Sequence, residues 1–206
     1  MKTLRKSTPK DFISSLPKEA FEGQIVVVHS ETEMTRALLY LNQQKLVGFD
    51  TETKPAFQKG VTHKVSLMQI STPDVCFLFR LNHIKNIRPL FAFLESPNTI
   101  KIGLSIKDDI AALQKRQAFK PTNFVELQNL VKNLDISDMS LQKIYANLFE
   151  KRISKSARLS NWDIDILSDS QKQYAALDAF ACLKIYAEVL ALLETKNYQI
   201  INTETE

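Results

Sequence analysis

Residues Val47–Pro55 read VGFDTETKP, an apolar run that ends in two carboxylates one residue apart. With the preceding Lys45 and Leu46 the run suits a strand. Successive side chains of a strand point to opposite faces, so Asp50 and Glu52 project together while Phe49 and Thr51 turn the other way. Two acids on one face repel unless a cation lies between them. Locally the stretch allows two readings, a charged strand end facing water and the start of a metal site. Only partners elsewhere in the chain can decide between them.

The last long apolar run, QYAALDAFACLKIY, offers one such partner. Tyr174 and Asp178 stand at i and i+4, on one face of a helix and a turn apart. An acid among so many apolar residues should not stay ionised and unpaired, because desolvation is costly. A cation would resolve that, and so would a lysine at the helix edge. A third acid comes from KIGLSIKDDIAAL, where a buried strand feeds a helix carrying Asp108 and Asp109 in its first turn. The carboxyl edge of such a strand is where sites form in open α/β sheets, although an acid there also serves simply as a helix N-terminal charge.

Taken together, D-x-E on a strand, Asp at a helix start and Tyr-x-x-x-Asp on a late helix resemble the DEDD superfamily of 3′–5′ exonucleases, in its tyrosine-bearing branch. FDTET matches the first motif. KIGLSIKDDIAAL matches the second, in which Gly103 and Leu113 select Asp109 over Asp108. QYAALDAFACLKIY matches the third, and LSNWD ahead of it is similar to the Werner-syndrome-type and ribonuclease-D-like members. The sibling branch has histidine where this chain has Gln173. The resemblance spans Gln24 to Leu193.

It implies a ribonuclease-H-like three-layer α/β fold, with a mixed sheet of five to six strands flanked by helices. It also implies two divalent cations, Mg²⁺ or Mn²⁺, with Asp50 bridging both, Glu52 and Asp178 completing the coordination of the first ion and Asp109 holding the second. Tyr174 would orient the attacking water. Its ordinary pKa near 10 makes it a poor base at neutral pH. The expected partner is a nucleic-acid 3′ end, single-stranded at the site and more readily DNA than RNA, and the expected products are nucleoside 5′-monophosphates. RNA 3′-end trimming keeps the same chemistry. A non-catalytic module that grips nucleic-acid ends is the rival of another class, disfavoured because all four acids are present.

Substrate contacts are less legible. Thr51 beside the acids, and Met68, Phe57 and Trp162 as apolar surfaces for a base, compete with ordinary packing. Lys151, Arg152, Lys155 and Arg158 form a basic loop before the third motif, suited to phosphates or simply to water. His63 and Lys64 are weaker candidates of the same kind.

The element pattern agrees with the resemblance. QIVVVHS, KLVGFDTET, KVSLMQIS and VCFLFRL read as strands, and Ser30 with Glu33 forms a capping box for a helix from Glu31. IRPLFAFLES is helical, TIKIGLS a buried strand, and FVELQNLVKNL a short strand running into a helix. SLQKIYANLFE is helical, and Ser168 with Gln171 caps the last helix. Residues 1–23 read as an N-terminal extension with one short helix, 24–195 as the exonuclease domain, and 196–206 as a C-terminal tail.

The totals exclude other classes. The chain has 206 residues, 44% hydrophobic and 24% charged, which suits one globular domain. Its four glycines cannot assemble a G-x-G-x-x-G or Walker loop. Neither C-x-x-C nor H-E-x-x-H occurs, against structural zinc. Cys76 and Cys182 lie in apolar runs and read as reduced core thiols, which suits a cytoplasmic protein. No apolar h-region follows the basic N-terminus, and no run is long enough to span a membrane. The net charge of +4 permits a nucleic-acid partner without requiring one.

Overall fold

The computed structural model describes residues 1–202. A six-stranded sheet is built from β2 (Gln24–Val28), β3 (Leu46–Thr53), β4 (Val65–Ser71), β5 (Val75–Arg80), β6 (Ile100–Gly103) and β7 (Phe124–Glu126). Their order is β2-β5-β4-β3-β6-β7. β3, β4 and β5 form an antiparallel meander, and the remaining pairings are parallel. β4 is therefore the single strand running against the rest.

Each face of the sheet has its own core. One face packs against α2 (Glu31–Leu41), α3 (Arg88–Glu95) and α4 (Ile106–Gln114), with Val47, Phe49, Met68 and Ile70 inside. The other packs against α5 (Leu127–Val131), α6 (Leu141–Phe149) and α7 (Asp169–Thr195), with Leu67, Leu78 and Ile102 inside. The period-2 alternation of β3 and β4 sorts these residues between the layers.

Both capping boxes form. Ser30 Oγ accepts from the Glu33 amide at 3.3 Å, and Glu33 Oε2 accepts from the Ser30 amide at 3.0 Å. Ser168 and Gln171 make the same exchange at the start of α7. That helix has 27 residues, about 40 Å at 1.5 Å per residue. It is apolar around most of its circumference because it lies between the sheet and the shorter helices α5 and α6.

The segments read as extension and tail join each other. β1 (Lys2–Arg5) pairs in parallel with β8 (Tyr198–Ile201), and Leu4 and Phe21 enter the α7-side core. The short helix α1 (Lys10–Ser15) lies between them in sequence. Polar composition hides this attachment, since so few apolar residues carry it. Residues 203–206 of the tail lie outside the described residues. Among the described residues, no helix is long and apolar enough to cross a membrane.

Candidate active site

β3 leaves the core as it reaches the acids: Val47, Gly48 and Phe49 are buried, and Asp50 to Thr53 are half-buried. Gly48 makes the approach possible. A Cβ at this position would stand 1.9 Å from the Ala179 carbonyl oxygen of α7. Only glycine lets the helix backbone come so near the strand. Asp178, next to Ala179, is thereby set beside the face of β3 that carries Asp50 and Glu52. One carboxylate oxygen from each of Asp50, Glu52 and Asp178 lies within 4.8 Å of the others.

Asp109 comes from α4, on the opposite side of the sheet, and is outside that group of three. Its Oδ1 accepts a hydrogen bond from Thr51 Oγ1 at 2.5 Å. Thr51, expected to meet substrate, is thus engaged in holding Asp109. Asp108 is exposed and Asp109 half-buried, so the first turn of α4 turns Asp109 toward the strand. A side chain absent from the sequence reading holds that turn. Glu126 at the end of β7 accepts from the amides of Ser105 at 3.0 Å and Ile106 at 2.8 Å. Ser105 has φ 62°, a left-handed conformation that costs a non-glycine residue about 1 kcal/mol or more. Glu126 offsets that cost by taking the first free amides of the helix. Its only sequence signal was an acid closing a short strand.

The electrostatics of the site are those of crowded, desolvated carboxylates. Burial raises the pKa of Asp50 well above the ordinary range, and Asp109, Asp178 and Glu52 push it further the same way. Glu52 is pushed up to about 9 by burial and by Asp178 and Asp109, with Arg158 acting in the opposite sense. Burial takes Asp178 to about 7 against the opposing effect of the Tyr174 hydroxyl. Asp109 is also raised to about 7 by burial, although the Thr51 hydrogen bond lowers it. Tyr174 is buried, and burial together with the neighbouring Asp178 and Glu52 raises its hydroxyl above the ordinary value, so it keeps its proton at neutral pH. Among the described residues, Asp178 Oδ1 has no hydrogen-bond partner. A buried unpaired carboxylate oxygen costs about 1–3 kcal/mol. Oxygen donors alone, close-set and unfavourably ionised, fit a hard divalent cation.

A cleft of about 280 Å³ adjoins these acids, lined by Leu104, Ser105, Met139, Lys155, Arg158, Tyr174 and Asp178 among others. The chain matches the family model described as 3′–5′ exonuclease over residues 25–194.

The chain belongs to the 3′–5′ exonuclease family.

Its relatives carry the exonuclease domain in larger proteins. The bifunctional 3′–5′ exonuclease/ATP-dependent helicase WRN of Mus musculus is 29% identical over 202 residues, covering 93% of this chain and 14% of that protein. Ribonuclease D of Haemophilus influenzae is 27% identical over 163 residues, covering 78% of this chain and 40% of that protein. The chain thus spans well under two thirds of either relative. The solved EXO domain of Aedes aegypti Nibbler shares the fold with a TM-score of 0.79 at 23% identity, covering 88% of this chain and 95% of that one.

Within this exonuclease domain the expected substrate contacts divide. Met68 and Trp162 are fully buried and have no surface to offer a base. Trp162 packs against Tyr174, with ring centroids 6.1 Å apart, and so supports α7 from below. Phe57 is 82% exposed in the loop after β3 and keeps its stacking face free. In the basic loop, Lys151 pairs with Glu19 at 2.9 Å, and Arg152 Nε donates to the Leu16 carbonyl at 2.8 Å. These two cations serve the fold. Lys155 and Arg158 are exposed and face the cleft. His63 and Lys64 lie in the loop before β4, and neither lines that cleft. The rest of the loop is pinned to the sheet: Asp163 Oδ1 accepts from Ser66 Oγ at 2.5 Å and Asn82 Nδ2 at 2.6 Å. The buried Arg80 guanidinium donates to the carbonyls of Ile164 and Asp165. Gln173, which stands where the sibling branch has histidine, exchanges hydrogen bonds with the Phe21 backbone.

Proposed function

We propose that this domain hydrolyses phosphodiester bonds one nucleotide at a time from a 3′ end and releases nucleoside 5′-monophosphates. The observation that carries the reading is the close group of Asp50, Glu52 and Asp178 beside Tyr174, in a cleft rimmed by Lys155 and Arg158. Asp50, Glu52 and Asp178 would hold one divalent cation, and Asp109 would take part in holding a second. Ions held there would supply an activated water and charge neutralisation for the attacking and leaving oxygens. Tyr174 keeps its proton and donates it in a hydrogen bond that orients the water. Arg158, whose charge is felt at Glu52, is placed to neutralise a substrate phosphate. Phe57 offers a face for stacking of the terminal base.

The substrate proposed is DNA. Similarity to a protein named ribonuclease D favours RNA as the second reading. The decisive assay follows 5′-labelled single-stranded DNA, recessed and overhanging duplexes and RNA in Mg²⁺ or Mn²⁺. A descending ladder is expected, abolished by chelation, with Asp50→Ala slower by about a thousandfold or more. A rate unchanged by Asp50→Ala would remove the site assignment, and the faster nucleic acid names the substrate.

A further inference from the structure

Two grooves lead away from the cleft at Tyr174. One is a cavity of about 330 Å³ that shares Ser140, Gln142 and Lys155 with the cleft and continues past Lys143, Arg152 and Lys10. Its lining holds four cations and no acid. The other, of about 260 Å³, sets Lys18 beside Glu19, and Glu19 is already bonded to Tyr145, Lys151 and Lys184. Only the first groove has a sustained positive lining.

Its cations differ in availability. Lys143 faces Asp138 at 3.4 Å, and Arg152 is tied to the Leu16 carbonyl. Lys10 and Lys155 are exposed, and among the described residues their ammonium groups have no ion-pair or hydrogen-bond partner. Lys10 stands on α1, a six-residue helix with no fully buried side chain, in which Phe12 and Ile13 are half-buried. Little core packing holds α1 in place. Its ends are tied instead. The Thr8 amide donates to Asp138 Oδ2 at 3.0 Å, and the Arg5 guanidinium lies 3.7 Å over the Phe12 ring. The Arg152 amide donates to the Pro17 carbonyl at 2.9 Å. Lys10 is thus presented on a fixed wall, outside the residues 25–194 matched to the family.

We propose that this basic groove carries the phosphate backbone of the substrate strand on the 5′ side of the scissile bond, with Lys155 as the contact near the acids and Lys10 as the far one. The proposal rests on the exonuclease reading and adds the path of the strand to it. Cleavage at a 3′ terminus leaves one nucleotide beyond the scissile phosphate. Every other nucleotide lies on the 5′ side, so a groove prolonged through a second cavity serves that side. Two free ammonium groups along it match the charge of a backbone.

The test measures equilibrium binding, without divalent metal, of a 5′-fluorescein oligothymidine of about 12 nucleotides, a length single-strand grooves accommodate. Fluorescence anisotropy is read over a salt titration for the parent protein, Lys10→Glu and Lys18→Glu. Lys10→Glu is expected to weaken binding about tenfold and to flatten the salt dependence by about 0.7 in log–log slope, one phosphate contact. Lys18→Glu, an exposed change on the other groove, should leave both unchanged. Equal affinities and slopes for the parent and Lys10→Glu would overturn the proposal, as would equal weakening by both variants or no binding by the parent. Hydrolysis in Mn²⁺ is scored separately. A parent that binds with the expected Lys10 dependence yet releases no nucleotide would refute the exonuclease reading and leave the groove standing.

Discussion

Asp178 is buried, one of its oxygens lacks a partner among the described residues, and burial pushes its pKa to about 7. Glu52, at about 9, is raised still further. A carboxyl raised in the folded state above its unfolded value of about 4 favours folding below that pH and loses the contribution as pH rises through the folded pKa. The metal-free protein should therefore melt at progressively lower temperature between about pH 5 and pH 9, and saturating Mn²⁺ should reverse much of the loss at the alkaline end. Asp178→Asn should raise the melting temperature of the chelated protein near pH 8 by about 2–4 °C, roughly 1 kcal/mol for a domain of this size. The same variant should lose exonuclease activity. Thermal scans in EDTA check the first expectation, and a melting temperature that fell would show that Oδ1 is paired in solution. Tyr174→Phe removes one hydroxyl and leaves the ring against Trp162. Turnover should fall by about 10- to 100-fold with little change in KM, as read from steady-state kinetics.

At the scale of elements, the site is a junction between β3, α7 and α4, and its precision comes from backbone approach. Gly48→Ala drives a methyl into the Ala179 carbonyl. Separation of α7 from β3 should cost about 3 kcal/mol or more, measured by urea unfolding. The carboxylates would separate with the helix, so Mn²⁺ should no longer stabilise the variant. Glu126 acts at the other contact, by holding the start of α4. Glu126→Ala frees two amides and should cost about 1–2 kcal/mol. Its loss should also weaken the metal's stabilising effect, because Asp109 follows the same turn, whereas Asp108→Ala on the exposed side should do neither.

Across the whole molecule, the two ends of the chain close onto one core. Leu4 is fully buried, the Arg5 amide donates to Asn147 Oδ1 at 2.8 Å, and Asn147 Nδ2 returns a bond to the Arg5 carbonyl at 2.7 Å. Leu4→Ala should destabilise the domain by about 2–4 kcal/mol, with the loss visible in calorimetry. The same attachment fixes α1 beside the basic groove, so it bears on the proposed path of the strand as well as on stability.

The motifs were legible because the chemistry demands particular residue types at spacings that local geometry imposes. Period 2 puts Asp50 and Glu52 on one face, an i,i+4 step aligns Tyr174 with Asp178, and two capping boxes mark where α2 and α7 begin. The order of strands and helices suited a mixed α/β sheet, and the resemblance to a known family supplied the three-layer arrangement. Tertiary structure decided what depends on residues far apart in sequence. Met68 and Trp162 resembled surfaces for a base until packing buried them, because an apolar side chain reads the same in a core and in a cleft. Lys151 and Arg152 resembled their neighbours Lys155 and Arg158, and only the positions of Glu19 and Leu16 separate structural cations from free ones. Glu126 and Gly48 act through backbone atoms of other elements and leave no motif. The D-x-E pair itself is ambiguous in isolation, and it becomes a candidate metal site because Gly48 lets a helix more than a hundred residues later bring its acid within reach.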